Sequence, residues 1–197
     1  MYDDEFELTF DLSDGDEASR APEPEQEPVQ EAAPEPAAET EPPVEAVPGP
    51  AVPAANGRCV LISGGDRGIG AAAARAFWQA GYRVAVLYHT HAEAAAALEK
   101  ALPGLLAVQC DVASRASCEV AFHTVEQAVG HVDVLVSNAG IAQQKLFTDI
   151  TPEEWQHMLD VNLSGAFHLC QLALPGMIRR KAGRILTVSS MWGQTGG

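Results

Sequence analysis

Basic side chains are scarce in this sequence, which has 12 lysines and arginines against 27 aspartates and glutamates. Only one of them, Arg20, lies in the first 55 residues, which carry 16 acidic side chains and ten of the 13 prolines. The remaining 142 residues carry 11 acidic and 11 basic side chains, so they are neutral. An acidic segment repels a phosphate backbone and a neutral domain offers it no positive patch, so the composition argues against a nucleic-acid partner.

Cysteines are also few, and no two of them form a Cys-x-x-Cys pair, which argues against a zinc site or a redox motif. We expect Cys59, Cys110, Cys118 and Cys170 to be free thiols, buried or half-buried, in a reducing cytosol. No apolar run reaches the roughly 18 residues of a membrane span, and no basic start followed by an apolar core marks a signal peptide. The sequence therefore predicts a cytoplasmic protein with no metal site and no membrane partner.

The uneven composition divides the chain into two parts. We interpret residues 1–55 as a disordered acidic tail and residues 56–197 as one folded domain. Residues 21–53 repeat Pro, Glu and Ala, which favours an extended linker. Residues 1–17 alternate apolar and polar side chains, which fits either a strand that docks on a partner's sheet edge or an extension without function.

The folded part alternates short apolar runs with helical segments. The apolar runs predict buried parallel strands at Cys59–Ser63, Val84–Tyr88, Leu105–Gln109, Val132–Ser137 and Arg184–Ser189. The intervening segments predict helices at Ile69–Ala80, Ala92–Ala101, from Ser114 to Gly130, from Thr151 onward with a capping box to Glu154, and at Phe167–Arg180, where Pro175 would bend or offset the helix. This order predicts an α/β fold, a Rossmann-like doubly wound parallel sheet that is incomplete, with about five strands.

A glycine-rich turn joins the first predicted strand to the first predicted helix. It reads Ser63-Gly64-Gly65-Asp66-Arg67-Gly68-Ile69-Gly70. Glycines let the backbone turn tightly and approach a ligand, and the start of the helix offers free N–H groups to a pyrophosphate. The turn favours a dinucleotide site over a plain tight turn between strand and helix.

The end of the second predicted strand bears on the choice of dinucleotide. Folds that select NAD usually place an acid there, whereas this sequence reads Tyr88-His89-Thr90-His91. The missing carboxylate permits a 2′-phosphate, and Arg67 could pair with it. Alternatively, Arg67 is a solvated loop arginine, and His89 and His91 either contact the phosphate or are solvated as well.

Polar and small residues follow the next two predicted strands. Asp111-Val112 follows the third strand, and Asn138-Ala139-Gly140 follows the fourth. Both groups fall at the carboxyl edge of the sheet, where ligands bind in open α/β folds. The small residues would let a flat ring system lie on the backbone.

The sequence over residues 57–197 resembles the short-chain dehydrogenase/reductase family. The glycine turn, Asp111-Val112, Asn138-Ala139-Gly140, Val161-Asn162-Leu163 and Val188-Ser189-Ser190 occur in the order and spacing of that family. The resemblance implies an NAD(P)-dependent oxidoreductase that is a homo-oligomer at full length.

The resemblance also implies a role for each matching position. The glycine turn (Ser63, Gly64, Asp66, Arg67, Gly68, Ile69 and Gly70) would hold the cofactor pyrophosphate, with Arg67 on the 2′-phosphate of NADPH. Asp111, next to Val112, would bind the adenine amine, and residues Asn138, Ala139 and Gly140 would line the adenosine. Asn162 would hold a helix kink and a water of the proton relay. Ser190 would polarise the substrate carbonyl, because Gly193 follows it at the family's spacing.

The family's reaction also uses a Tyr-x-x-x-Lys pair that follows the serine. This sequence ends at Gly197, seven residues after Ser190, so no residue in it is given that role. We expect residues 1–197 to be a fragment of a longer reading frame and to be weakly active or inactive alone. Sequencing past the codon for Gly197 tests this expectation, and a stop codon there would contradict it.

The substrate is indicated by one residue, Trp192. The stretch from Ser189 to Gln194 is similar to reductases of 5-aminopentanone-modified elongation factor P, whereas 3-oxoacyl-[acyl-carrier-protein] reductases usually have a small aliphatic residue in place of Trp192. Alternatively, the tryptophan only packs at the sheet edge. Both kinds of substrate, modified elongation factor P and 3-oxoacyl-[acyl-carrier-protein], imply NADPH-dependent reduction of a ketone to a secondary alcohol. A non-catalytic nucleotide-binding or scaffold protein, whose acidic tail recruits a partner, is the other hypothesis.

Overall fold

The computed structural model describes residues 55–190. The predictions for the acidic tail, Trp192 and Gly193 therefore lie outside the described residues. Strands and helices alternate in the described part, in the order β1 Cys59–Ser63, α1 Gly68–Gln79, β2 Arg83–Tyr88, α2 Ala92–Ala101, β3 Leu106–Gln109, α3 Arg115–Val129, β4 Val132–Ser137, α4 Pro152–Leu159, α5 Gly165–Arg180 and β5 Arg184–Thr187. No helix within residues 55–190 is both long and apolar enough to cross a membrane.

The five strands form one parallel sheet in the order β3-β2-β1-β4-β5. The chain builds outward from β1 through β2 to β3, and then crosses back to place β4 on the other side of β1. The sheet therefore has its topological switch point between β1 and β4, where open α/β sheets bind ligands. The prediction of a doubly wound parallel α/β fold with about five strands is confirmed.

Strand β1 is buried on both faces, because helices cover the sheet on both sides. Cys59 and Leu61 belong to the core that α3 and α5 cover, and Val60 and Ile62 to the core that α1 and α2 cover. Side chains of successive strand residues point to opposite faces, which is why β1 reads as an unbroken apolar run. The helices leave the carboxyl ends of the strands as the edge at which loops can form a site.

Helix α4 begins with the predicted capping box. Thr151 Oγ1 accepts a hydrogen bond from the backbone N–H of Glu154 at 3.3 Å, and Glu154 Oε2 accepts one from the N–H of Thr151 at 2.9 Å. A salt bridge from Lys145 at 2.8 Å lowers the pKa of the Glu154 carboxyl. These contacts fix the start of the helix that leads into the site.

The sequence predicted a gap between the fourth and fifth helices, but the structure joins them. A π-helical segment, Asp160–Ser164, links α4 directly to α5, and Pro175 lies inside α5 without ending it. Strand β5 ends at Thr187, two residues before its predicted end, although the N–H of Val188 still donates to the carbonyl oxygen of Ser137 at 2.9 Å. On the described chain β5 forms a sheet edge with Leu186 and Val188 exposed.

Candidate active site

A cavity of about 380 Å³ lies at the carboxyl edge of the sheet, over the switch point between β1 and β4. Its volume is within the usual range for small-molecule sites, about 300–1,000 Å³. Residues that follow β1, β2, β3 and β4 meet there, together with parts of α4 and the π-helical segment: Gly64, Asp66, Arg67, Gly68, Ile69, Leu87, Tyr88, His89, Thr90, His91, Cys110, Asp111, Val112, Asn138, Ala139, Gly140, Ile141, His157 and Val161. Most of the predicted cofactor-binding residues are thus brought together.

The glycine turn leaves no room for side chains at three of its positions, and at one of them, Gly65, a Cβ atom would lie 2.6 Å from the side chain of Val86. Gly64 has a positive φ of 61°, and a Cβ atom there would lie 3.0 Å from the Cα atom of Ala139. A Cβ atom at Gly70 would overlap the carbonyl oxygen of Gly64. The turn is therefore packed against the loop that follows β4, and its backbone faces the cavity.

Ser63 and Asn138 clamp these two loops together. The Ser63 hydroxyl accepts hydrogen bonds from the N–H groups of Asn138 and Ala139, each at 3.0 Å. The Asn138 side-chain amide donates to the carbonyl oxygens of Ser63 at 3.0 Å and of Gly64 at 2.9 Å. Because Ser63 is fully buried, the structure gives it a bracing position under the cavity.

Helix α1 begins at the cavity with Arg67 as its extended N-cap residue, and among the described residues no side chain caps it. The first N–H groups of a helix have no partner inside the helix, and they sit at its positive dipole end. Gly68 and Ile69 line the cavity at this point. The end of the helix can therefore hold an anionic group such as a pyrophosphate.

Charged side chains cluster where β1 and β2 end. Arg67 is exposed at the cavity, whereas the carboxylate of Asp66 is buried. Asp66 Oδ2 lies 3.4 Å from His91 Nδ1, within ion-pair distance, yet it accepts no hydrogen bond from the described residues. The sequence showed no acid at the end of β2, but the fold brings Asp66 to that place from the glycine turn.

Asp111 and Val112 occupy the cavity wall after β3. Asp111 Oδ1 accepts a hydrogen bond from the N–H of Ala113 at 3.0 Å, and the N–H of Asp111 donates to the Ser117 hydroxyl at 3.0 Å. Val112 packs closely against Gly165 of α5. A Cβ atom at Gly165 would lie 2.9 Å from the Val112 side chain. These contacts fix the loop and leave Asp111 at the cavity surface.

A sequence profile of the short chain dehydrogenase family matches residues 58–197. The chain belongs to this family. It is 40% identical over 139 residues to the acetoacetyl-CoA reductase of Shinella zoogloeoides, covering 71% of this chain and 57% of that protein. It is also 40% identical over 144 residues to the 3-oxoacyl-[acyl-carrier-protein] reductase MabA of Mycobacterium avium, covering 72% and 53% respectively.

The crystal structure of gox2181 matches this short-chain dehydrogenase with a TM-score of 0.65 and 32% identity, over 70% of this chain and 55% of that one. The chain thus spans just over half the length of the relatives that it matches.

Asn162 lies in the π-helical segment of this short-chain dehydrogenase. Its side-chain amide donates to the carbonyl oxygens of Met158 at 3.0 Å and Ile141 at 3.1 Å, and its Oδ1 accepts from the N–H of Ile141 at 3.0 Å. A Cβ atom at Gly140 would come within 2.8 Å of the same oxygen. Asn162 therefore ties the irregular part of the helix to the loop that follows β4.

Ser190 is exposed and lies three residues after β5. Ser137 of β4 pairs with Thr187 of β5, so the chain leaves both strands at the same edge of the sheet. Ser190 is therefore at the edge that carries the cavity, and its catalytic role stays a prediction.

The cysteines of the short-chain dehydrogenase are all free, as predicted, with three buried and Cys170 half-buried. Burial raises the pKa of the Cys59 thiol to about 12. The hydrogen bond between the thiols of Cys110 and Cys118, with sulfur atoms 3.9 Å apart, lowers the pKa of Cys110, which lines the cavity. Within residues 55–190, no group of three or more His, Cys, Asp or Glu side chains could hold a metal ion.

Several cavity residues were not singled out from the sequence. Ile141 and His157 reach the cavity from the loop after β4 and from α4, and Thr90 and Cys110 from the ends of β2 and β3. No local pattern marks them, since their positions depend on the sheet order. Thr90 and Cys110 could have been found from the sequence, because each follows the end of a predicted strand and the doubly wound topology brings the strand ends together.

Proposed function

We propose that this chain binds NADPH and forms the cofactor-binding part of a reductase that converts a ketone to a secondary alcohol. The observation that carries the proposal is the cavity at the switch point, where the packed glycine turn with Arg67 and the start of α1 share one space with Asp111. The glycine positions fit a dinucleotide, because Gly64 and Gly70 let the turn pack against the loop after β4 while Gly64 and Gly68 line the cavity.

Each part of NADPH has a group to meet in this proposal. The glycine turn and the first N–H groups of α1 would hold the pyrophosphate. Asp111 would accept a hydrogen bond from the adenine amine, and residues 138–140 would lie along the adenosine. Arg67, exposed at the cavity, would pair with the 2′-phosphate in a charge-assisted contact.

The substrate proposed is a 3-oxoacyl thioester, carried on coenzyme A or on acyl carrier protein. The two kinds of named relatives reduce such compounds, as their names state. When bound, the cofactor supplies a hydride to the carbonyl carbon. Ser190 would donate a hydrogen bond to the carbonyl oxygen, and Asn162 would brace the helix beside it through Met158 and Ile141. The alternative substrate, modified elongation factor P, depends on Trp192 and stays a prediction.

The full chain is tested first for cofactor binding, by the change in NADPH fluorescence on mixing. It is then tested for NADPH oxidation with acetoacetyl-CoA and, in parallel, with 5-aminopentanone-modified elongation factor P. We expect NADPH binding, and any turnover to favour the thioester. An unchanged NADPH fluorescence would contradict the proposal. Turnover above background would exclude the scaffold hypothesis for this chain, and binding without turnover that a longer version of the protein restores would support the fragment hypothesis.

We also propose that the complete enzyme is a homo-oligomer. Large apolar side chains are exposed along α4, the π-helical segment and α5, namely Trp155, Leu163 and Phe167. These side chains lie on consecutive helical segments, and large exposed apolar patches mark interaction sites, which supports the proposal. Light scattering of the protein as it elutes from a size-exclusion column measures its molar mass and tests this proposal. A monomer at all concentrations would contradict it.

A further inference from the structure

The contact between the side chains of Asp66 and His91 has no role in the cofactor binding proposed above. The Asp66 side chain is only 6% exposed, its Oδ2 accepts no hydrogen bond from the described residues, and it lines the cavity next to Arg67. A buried carboxylate without a partner is costly. His91 Nδ1 lies 3.4 Å from that oxygen, a distance at which a protonated imidazole would form an ion pair with it.

The position of Asp66 matters for the ribose of the adenosine. The carboxylate shares the cavity with Arg67, the residue proposed to bind the 2′-phosphate. An ionised Asp66 would repel that phosphate, whereas it would accept a hydrogen bond from the 2′-hydroxyl of NADH. A positive charge on His91 would cancel the repulsion.

We propose that His91 sets the preference for NADPH over NADH by neutralising Asp66, so that Arg67 can bind a 2′-phosphate. His91 is then a positioning residue that acts through Asp66. The proposal rests on the proposed function, since it names the selectivity of the same cofactor site. The His91 side chain is about half exposed, at 49%.

Other groups face the same space and must be held constant. Thr90 Oγ1 lies 3.4 Å from His91 Nδ1, and His89, Tyr88 and Asp111 also line the cavity. His131 is the matched control, because it is an exposed histidine whose Nδ1 lies 3.5 Å from a carboxylate oxygen of Glu126 and it does not line the cavity.

The test measures the affinity of the full chain for two probes by isothermal titration calorimetry. Adenosine 2′,5′-bisphosphate carries the 2′-phosphate, and ADP carries a hydroxyl in its place. The variants are H91Q, D66N, the double variant D66N/H91Q and the control H131Q, and thermal melting confirms that each is folded. The quantity compared is the ratio of the two affinities.

We expect the wild-type chain to prefer the bisphosphate and H91Q to lower the ratio about tenfold, as expected for a carboxylate left unpaired near an anion. D66N/H91Q should restore the ratio, because no charge is left to neutralise. H131Q should leave the ratio unchanged.

Three results would overturn the inference. A ratio that H91Q leaves unchanged would exclude any selectivity role of His91. A loss that persists in D66N/H91Q would mean that His91 contacts the phosphate directly instead of acting through Asp66. If the wild-type chain bound neither probe, the proposed function would fail together with this inference. In the first two results the wild-type chain still binds the probes, so the two kinds of failure can be told apart.

Discussion

Arg67 brings a permanent positive charge to the cavity, beside a buried carboxylate and near two histidines. Its guanidinium can form two parallel hydrogen bonds to a phosphate, which a histidine cannot. Because Arg67 is exposed, it costs little to hold the charge there without a ligand. The electrostatics of the site thus depend on which of these groups are neutralised.

Replacing Arg67 by glutamine should weaken the binding of NADPH about 10- to 100-fold, because a charge-assisted hydrogen bond is lost. The binding of NADH should change much less, since it has no 2′-phosphate. Fluorescence titration with both cofactors measures the two affinities. The control is Arg75→Gln, an exposed arginine of α1 that does not line the cavity. Equal losses for NADPH and NADH in Arg67→Gln would contradict the assignment.

The positions of single cavity residues could be predicted where a local pattern marks them. Their contacts could not be predicted where the fold decides them. The glycine turn was visible because strand, turn and helix are contiguous. The partner of Asp66 was not visible, because His91 comes from the next strand and meets it only across the β1–β2 pair. Likewise, no local pattern marked the Ser63 hydroxyl as the acceptor of hydrogen bonds from the N–H groups of residues 138 and 139.

The glycine turn and the start of α1 behave as one element that is locked to the loop after β4. Gly70 lies where α1 comes closest to that loop, and Asn138 Nδ2 would be 2.7 Å from a Cβ atom at Gly70. Side chains at this point would displace the clamp between Ser63 and Asn138. The element therefore depends on two glycines for its packing as much as for its turn.

Replacing Gly70 by alanine should lower the free energy of unfolding by about 1–3 kcal/mol, because the added methyl group overpacks the contact, and it should weaken NADPH binding. Urea unfolding and fluorescence titration measure the two effects. The control is Gly176→Ala in α5, where the nearest neighbour of the added Cβ is the end of the flexible Arg180 side chain, at 3.1 Å. There alanine should stabilise the helix by about 0.5–1 kcal/mol. A neutral Gly70→Ala variant would contradict the packing argument.

The strands and most helices could be predicted because each is a continuous run of one pattern. The π-helical segment Asp160–Ser164 could not, since nothing in its local sequence distinguishes it from an ordinary helix turn. Its geometry depends on the contacts of Asn162 with Ile141, which is 21 residues away in the chain. Long-range contacts of this kind are set by the sheet order, and only the resemblance to the family pointed to Asn162.

At the scale of the whole molecule, the chain combines a neutral domain with a strongly acidic segment. All of the net charge of −15 comes from residues 1–55. The core clusters of the described residues are formed by β1 to β4 and their helices, from Cys59 to Met177. If the acidic segment is a disordered tail, as predicted, the domain does not need it for stability.

Deleting residues 1–54 should shift the unfolding temperature by less than about 2 °C, because a disordered acidic segment buries little apolar surface. Differential scanning calorimetry of the two proteins measures the shift. NADPH affinity should also be unchanged. A large loss of stability would show that part of the tail packs on the domain and would contradict the predicted boundary.

The most direct test of the central claim locates the cofactor on the folded chain. The amide spectrum of the ¹⁵N-labelled full chain is recorded during titration with NADPH. We predict that the amides that shift are those of residues 64–70, 111–112 and 138–141, at the carboxyl edge of the sheet, while those of Arg180 to Arg184 at the opposite edge stay in place. Shifts confined to the opposite edge, or no shifts at saturating NADPH, would contradict the account.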